Sequence, residues 1–107
     1  MLDTSQFTGT STWWRHPLNL NVTYTDGAKY VAEKAGAYWL LDLMALNPYK
    51  SNFQCWKLSV KDNVGIINIE DGDENPIADK TIEYTDFPSP GITLWLIDNV
   101  ILVPSEY

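Results

Sequence analysis

The sequence predicts an α+β fold: one long helix packed on an antiparallel meander sheet of about five strands, with an irregular aromatic-rich arm in front. Three observations predict it. An apolar stripe at helical spacing runs from Asp26 to Leu46, two Asx-pair turns interrupt β-like runs after Phe53, and residues 1–25 keep no period. The chain of 107 residues is read as a single domain, long enough to bury its own core.

The arm, residues 1–25, carries Gly9 and Pro17 among polar residues, yet also Phe7, Trp13, Trp14, Leu18, Leu20, Val22 and Tyr24. So much apolar surface needs a packing partner, which makes the arm a covering segment. The helix, residues 26–46, starts at Thr25 or Asp26, whose side-chain oxygens can accept from free backbone N–H groups. It stops before Asn47-Pro48, because proline disfavours a helical residue ahead of it. Asp26, Lys29 and Glu33 share one stripe, and Ala28, Val31, Ala35, Tyr38, Trp39 and Leu46 the opposite one. From about Gly36 onward Ala37, Leu40, Leu41 and Met44 make the helix apolar nearly all round, which implies burial on every side.

Residues 53–107 form the sheet. Phe53–Lys61 and Val64–Glu70 flank Asp62-Asn63, a pair that tolerates a two-residue hairpin turn. That turn sets Trp56 against Ile69 and Leu58 against Ile67 on one face, and Lys57 against Asn68 on the other. Glu70–Asp79 reads as an acidic loop and Lys80–Thr85 as a short strand. Gly91–Ile97 and Val100–Val103 then flank Asp98-Asn99. In this last hairpin both faces are apolar: Leu94, Leu96, Ile101 and Val103 on one, Trp95, Ile97, Val100 and Leu102 on the other. One helix cannot meet both. Trp95, Ile97, Val100 and Leu102 therefore mark an interface, covered either by the arm or by a second copy in a homodimer.

The net charge of −7 falls on one half of the chain. Ten acids follow Phe53 against Lys57, Lys61 and Lys80, whereas four acids and four bases precede it. An acidic chain lacks the basic footprint that nucleic-acid binding requires and suits a basic protein partner. The acids Glu70, Asp71, Asp73, Glu74, Asp79, Glu83 and Asp86 form the expected partner-binding surface, by charge complementarity or by imitation of nucleic-acid phosphates. No run of 18 apolar residues is present, so no membrane span is expected. One cysteine, Cys55, precludes an intrachain disulfide and fits a reducing compartment. The N-terminus lacks the pattern of a signal peptide. A cytoplasmic location is expected.

No catalytic or metal motif stands out, and neither cofactor nor metal is expected. Asp42 lies within the apolar stripe, where a carboxylate must be paired. Arg15, His16 and the indoles of Trp13 and Trp14 are its natural partners. Two readings of the Arg15, His16, Asp42 cluster stand side by side: a pin holding the arm to the helix, or the polar anchor of a ligand pocket between them. His16 and Cys55 are each unique, so a Cys–His dyad is arithmetically available. The hairpin register, however, sets Cys55 opposite Glu70, which disfavours a thiolate. Asp71, Asp73 and Asn75 match the first positions of a calcium loop, but Ile82 stands where the bidentate acid belongs.

Several strings carry a family resemblance: Phe7-Thr8-Gly9, Trp14-Arg15-His16-Pro17-Leu18-Asn19, Tyr24-Thr25-Asp26-Gly27, Ala37-Tyr38-Trp39-Leu40-Leu41-Asp42, Thr85-Asp86-Phe87-Pro88 and Asp98 through Tyr107. The chain resembles, over nearly its whole length, a family of short uncharacterised proteins, a domain of unknown function of bacteria, phages and plasmids. The resemblance implies no activity and no catalytic residues; it implies carriage on mobile elements and an accessory or anti-defence role. The expected function is that of a non-enzymatic, acidic interaction protein, with a small-ligand-binding module as the alternative.

Overall fold

A computed structural model describes residues 3–10 and 12–107. Met1, Leu2 and Ser11, which fall in the expected arm, lie outside the described residues.

A seven-stranded mixed sheet forms, with two short helices on one side of it. The strands are β1 (Trp14–Arg15), β2 (Thr23–Tyr24), β3 (Phe53–Lys61), β4 (Val64–Asp71), β5 (Pro76–Ile82), β6 (Gly91–Ile97) and β7 (Val100–Leu102). Their spatial order is β1-β2-β7-β6-β3-β4-β5. The expected five-stranded meander under one long helix is overturned on both counts.

The helix divides into α1 (Asp26–Lys34) and α2 (Tyr38–Ala45). Gly36 is the reason. It takes a left-handed φ of +61°, and the Ala37 N–H donates back to the Ala32 carbonyl at 2.8 Å. This is the six-to-one bond of a Schellman stop, for which glycine is the favoured residue. The break re-aims α2, so that Leu40, Leu41, Met44 and Ala45 face the core. The change of pattern near Gly36 is thus a new helix in a new orientation, rather than one helix buried all round.

The arm supplies the two extra strands. β2 lies parallel to β7, Thr23 beside Val100 and Tyr24 beside Ile101, and β1 pairs antiparallel with β2. The arm thereby covers the open edge of the terminal hairpin with backbone hydrogen bonds, such as Thr25 N–H to the Ile101 carbonyl at 3.0 Å. β7 is consequently an interior strand. Among the described residues of the arm, only Asp3, Thr4 and Ser5 come near the rim of the outer face, beside Thr93 and Pro104.

Both hairpins keep the anticipated register: Trp56 faces Ile69 and Leu58 faces Ile67, while Trp95 faces Leu102. Their turn residues Asp62, Asn63, Asp98 and Asn99 all have positive φ, the conformation that asparagine and aspartate tolerate best. The supposed acidic loop is mostly strand. β4 reaches Asp71 and β5 runs Pro76–Ile82, so the strand expected over Lys80–Thr85 starts four residues earlier, stops at Ile82 and forms an edge. Pro76, Asp79 and Lys80 on that edge discourage pairing with another chain.

Even-numbered β3 residues Trp56, Leu58 and Val60 join Ile67, Ile69, Leu94, Leu96 and Ile101 beneath the helices. Odd-numbered ones point away from them. Gly91 must be glycine, because it has φ +119° and a Cβ there would fall 1.9 Å from the Leu58 carbonyl oxygen.

The far end of the chain closes the near end. Val103 leads into a 3₁₀ turn, Pro104–Glu106, and the Glu106 carboxylate caps α1. It accepts from Thr25 Oγ1 at 2.5 Å and the Gly27 N–H at 3.0 Å, while Thr25 Oγ1 itself accepts from the Ala28 N–H. A carboxylate at free N–H groups also complements the positive end of the helix dipole.

Candidate functional site

On the helix side, His16 and Asp42 meet. His16 Nε2 lies 2.8 Å from Asp42 Oδ1, and the Leu18 N–H donates to His16 Nδ1 at 3.1 Å. The two bonds together select the tautomer that carries its proton on Nε2. Both ring nitrogens are engaged, so no lone pair remains for a substrate proton. The burial differs from expectation. His16 is only 2% exposed, whereas the Asp42 side chain is 43% exposed, because the turn at Gly36 rotates Asp42 toward the rim. Arg15 is exposed and takes no part. The Trp14 indole N–H donates to Asp26 Oδ1 instead, at 3.2 Å. The arm is pinned again at Asn19, whose side-chain amide donates to the Ala45 carbonyl.

A cavity of about 320 Å³ lies between Asn19 and Val22 of the arm, the end of α2, and Gln54 and Leu96 of the sheet. Asp42 is absent from its wall and borders a separate recess with Leu46 and Lys80. The Gln54 and Asn47 amides of the 320 Å³ cavity are engaged internally. Gln54 Nε2 donates to Asn47 Oδ1 and to the Tyr49 and Ser51 carbonyls, and Gln54 Oε1 accepts from the Trp56 indole.

The acids do not gather into one patch. Glu70, Asp71, Asp73 and Glu74 lie at one end of β4 and its turn. Glu83 and Asp86 follow the opposite end of β5, since Gly65 pairs with Ile82. Seven residues of strand, about 23 Å, separate the ends. Asp71 belongs to the turn: its Oδ1 accepts from the Asp73 and Asn75 N–H groups at 2.8 and 3.0 Å. These bonds, that of Asn75 foremost, hold its carboxyl below the usual range. The resemblance to a calcium loop is therefore that of a self-bonded turn.

The outer face of the sheet holds the most developed recess. Across β4, β3 and β6, Glu70, Cys55 and Trp95 stand side by side in one row. Cys55 is small and its neighbours are large, which leaves a notch between an indole and a carboxylate two strand spacings apart, about 10 Å. Phe53 bounds one end, its ring 5.3 Å from that of Trp95, and Tyr107 leans on Trp95 at 5.4 Å. Lys57 bounds the other end, its Nζ 2.9 Å from Glu70 Oε1. That bond raises the Lys57 pKa. The cavity measures about 490 Å³ and also touches Gly72, Glu74 and Pro104. Burial pushes the Cys55 thiol up, the opposite of what a nucleophile needs. His16, bonded to α2, is on the other side of the sheet, so no Cys–His dyad exists.

Of the expected interface residues, Trp95 and Ile97 are half-buried on this face, whereas Leu102 is covered. What covers the Trp95 region is the C-terminal turn with Tyr107, not Trp13 or Trp14. Phe53, Cys55 and Lys57 were missed as site residues. The pairing of Cys55 with Glu70 was legible, but the β3–β6 pairing that brings Trp95 alongside has no local signal.

Residues 2–107 match the family of unknown function DUF6876. The chain belongs to this family. Membership covers nearly the whole sequence and assigns no activity to it. No curated protein matches the chain, and no solved structure does. Among the described residues no helix is long and apolar enough to cross a membrane.

Proposed function

We propose that this family member is a non-enzymatic interaction protein that docks a basic protein partner on the outer face of its sheet. The carrying observation is the acid-rimmed aromatic recess, in which Phe53 and Trp95 face Glu70 and Glu74 on the sheet side away from α1 and α2. Aromatic side chains with a charged rim are the usual composition of a binding centre. The engaged nitrogens of His16 and the raised thiol of Cys55 favour binding over catalysis. Resemblance to short proteins of bacteria, phages and plasmids favours a mobile-element setting, with a cytoplasmic host defence protein as the target. Direct nucleic-acid binding is disfavoured by the charge of −7.

The small-ligand reading rests on the 320 Å³ cavity, a size that suits a small molecule. It is the weaker reading, because Gln54 and Asn47, the amides against the sheet and the end of α2, already bond to each other and to the neighbouring backbone.

The test is kinetic. A partner captured on the immobilised chain should associate more slowly, and with a flatter salt dependence, when Glu70→Gln and Glu74→Gln are combined. Unchanged association of the double variant would reject the outer face as the docking surface.

A further inference from the structure

The chain builds one cation-over-indole site from its own residues. Lys29 Nζ sits 4.0 Å from the centre of the Trp14 ring, the Trp14 indole N–H bonds Asp26, and Lys29 pairs with Glu33 at 3.4 Å. An indole, a cation and two carboxylates make a complete set, since the negative face of the ring and the acids attract the same charge. The outer recess repeats the set with one member missing. Trp95 supplies the indole, and Glu70 and Glu74 supply the carboxylates. Among the described residues the cations lying over aromatic rings are Lys29 and Lys34, over Trp14 and Tyr30. None lies over Trp95. The nearby Lys57 is drawn to Glu70 instead.

We infer that the notch over Cys55 receives an arginine side chain of the partner, its guanidinium flat against Trp95 and its fork toward Glu70 and Glu74; this rests on the docking reading above. Three features select arginine over lysine. The notch is a slot between two strands' side chains, which suits a planar group better than a compact ammonium. Lys57 already holds one oxygen of Glu70, so a second ammonium would meet a like point charge, whereas a delocalised charge with five donors can share that carboxylate and reach another. A guanidinium is also the more weakly hydrated cation and loses less on entering an aromatic recess.

Cys55 supplies a reporter, being the sole thiol and lying on the floor of the notch. The full chain is alkylated with iodoacetamide in the presence of a capped glycine-flanked arginine peptide, its lysine counterpart or its glutamate counterpart. The arginine peptide should slow alkylation with a roughly millimolar half-effect, and the lysine peptide should need about threefold more. The glutamate peptide should have no effect. Glu74→Gln, which is exposed and leaves the fold intact, should weaken protection by the arginine peptide, and Cys55→Trp should abolish the shift that this peptide causes in the Trp95 indole N–H resonance. Equal protection by lysine and arginine, or protection by neither, would overturn the inference. So would self-association by light scattering that disappears in Arg15→Ala, since the occupant would then be the sole arginine of a second copy. If arginine selectivity fails while partner capture remains sensitive to Glu70→Gln and Glu74→Gln, this inference falls and the docking reading stands.

Discussion

Two tryptophans of this chain sit in similar company and differ in who supplies the cation. Trp14, on the arm, has Lys29 above it and Asp26 at its N–H. Trp95, in the middle of the sheet, has acids beside it and no cation above it. The first arrangement is closed within the molecule and holds the arm to α1. The second lies on the sheet side opposite α1 and α2, flanked by Phe53, Tyr107 and the C-terminal turn. The same side-chain chemistry thus serves cohesion in one place and offers recognition in the other, and what separates them is whether a local helix delivers a lysine.

If the Trp14 side is cohesive, breaking its supports must cost stability and leave the Trp95 side able to bind. Gly27→Ala should do damage on the same scale as loss of His16, because a Cβ there would lie 2.6 Å from Glu106 Oε1 and 2.7 Å from Val103 Cγ2. Crowding of this kind costs about 1–3 kcal/mol, read as a lower urea midpoint. An unchanged midpoint would mean that the Glu106 cap yields freely. His16→Ala should cost about 1.5–3 kcal/mol, the range for a hydrogen bond to a charged group. Asp42→Ala should cost less, about 1 kcal/mol, since its half-exposed carboxylate is already partly hydrated. Equal losses for the two would contradict the assignment of His16 as the buried member.

Lys29→Ala should cost only about 0.5–1 kcal/mol, the value of an exposed cation over a ring. It sharpens the comparison, because it leaves Trp14 as open as Trp95. The smallest effect is one of pH. Burial raises the Cys55 thiol, so at mildly alkaline pH the folded chain should alkylate more slowly than the urea-unfolded chain. The sign for stability follows. A group with a raised folded pKa contributes below its unfolded value, and the contribution fades as pH rises through the folded one. Equal alkylation rates in the two states would remove Cys55 from the floor of the notch.

Much of the sheet was legible and the arm was not. Asp62-Asn63 and Asp98-Asn99 state their turns locally, and alternation then sets every pair in both hairpins. Thr23 and Tyr24 give no such sign, since a two-residue parallel strand is too short to show a period and depends on a partner far along the chain. The helix was half legible. Its start at Thr25 and its end before Pro48 are written locally, but the stop at Gly36 is not, since a lone glycine within a helical pattern is also tolerated as an interior residue. Reading through that stop places Asp42 in the core, whereas its carboxylate is half-exposed; its expected pairing with His16 stands at 2.8 Å. The candidate site was legible in part, with Trp95 and Glu70 each singled out and Phe53, Cys55 and Lys57 missed. Their convergence was not, because it depends on β3 lying between β4 and β6. Several strings behind the family resemblance prove to be tie-points: His16 and Asp42 bond each other, Asn19 holds α2, and Thr25 and Gly27 hold Glu106.

The carboxylate at Glu106 also sets an order of events. The helix it closes begins at Thr25, and the two are separated by 81 positions. At about 5–20 residues per second, synthesis delivers the cap roughly 4–16 s after the helix start has emerged. β2 likewise waits for β7. Until then the first quarter of the chain has neither its edge partner nor its helix cap, and Val22 and Tyr24 remain without the sheet that buries them. A nascent chain paused ahead of Val100 therefore presents a sticky leading segment, and the interval before completion is when it most needs the company of a chaperone.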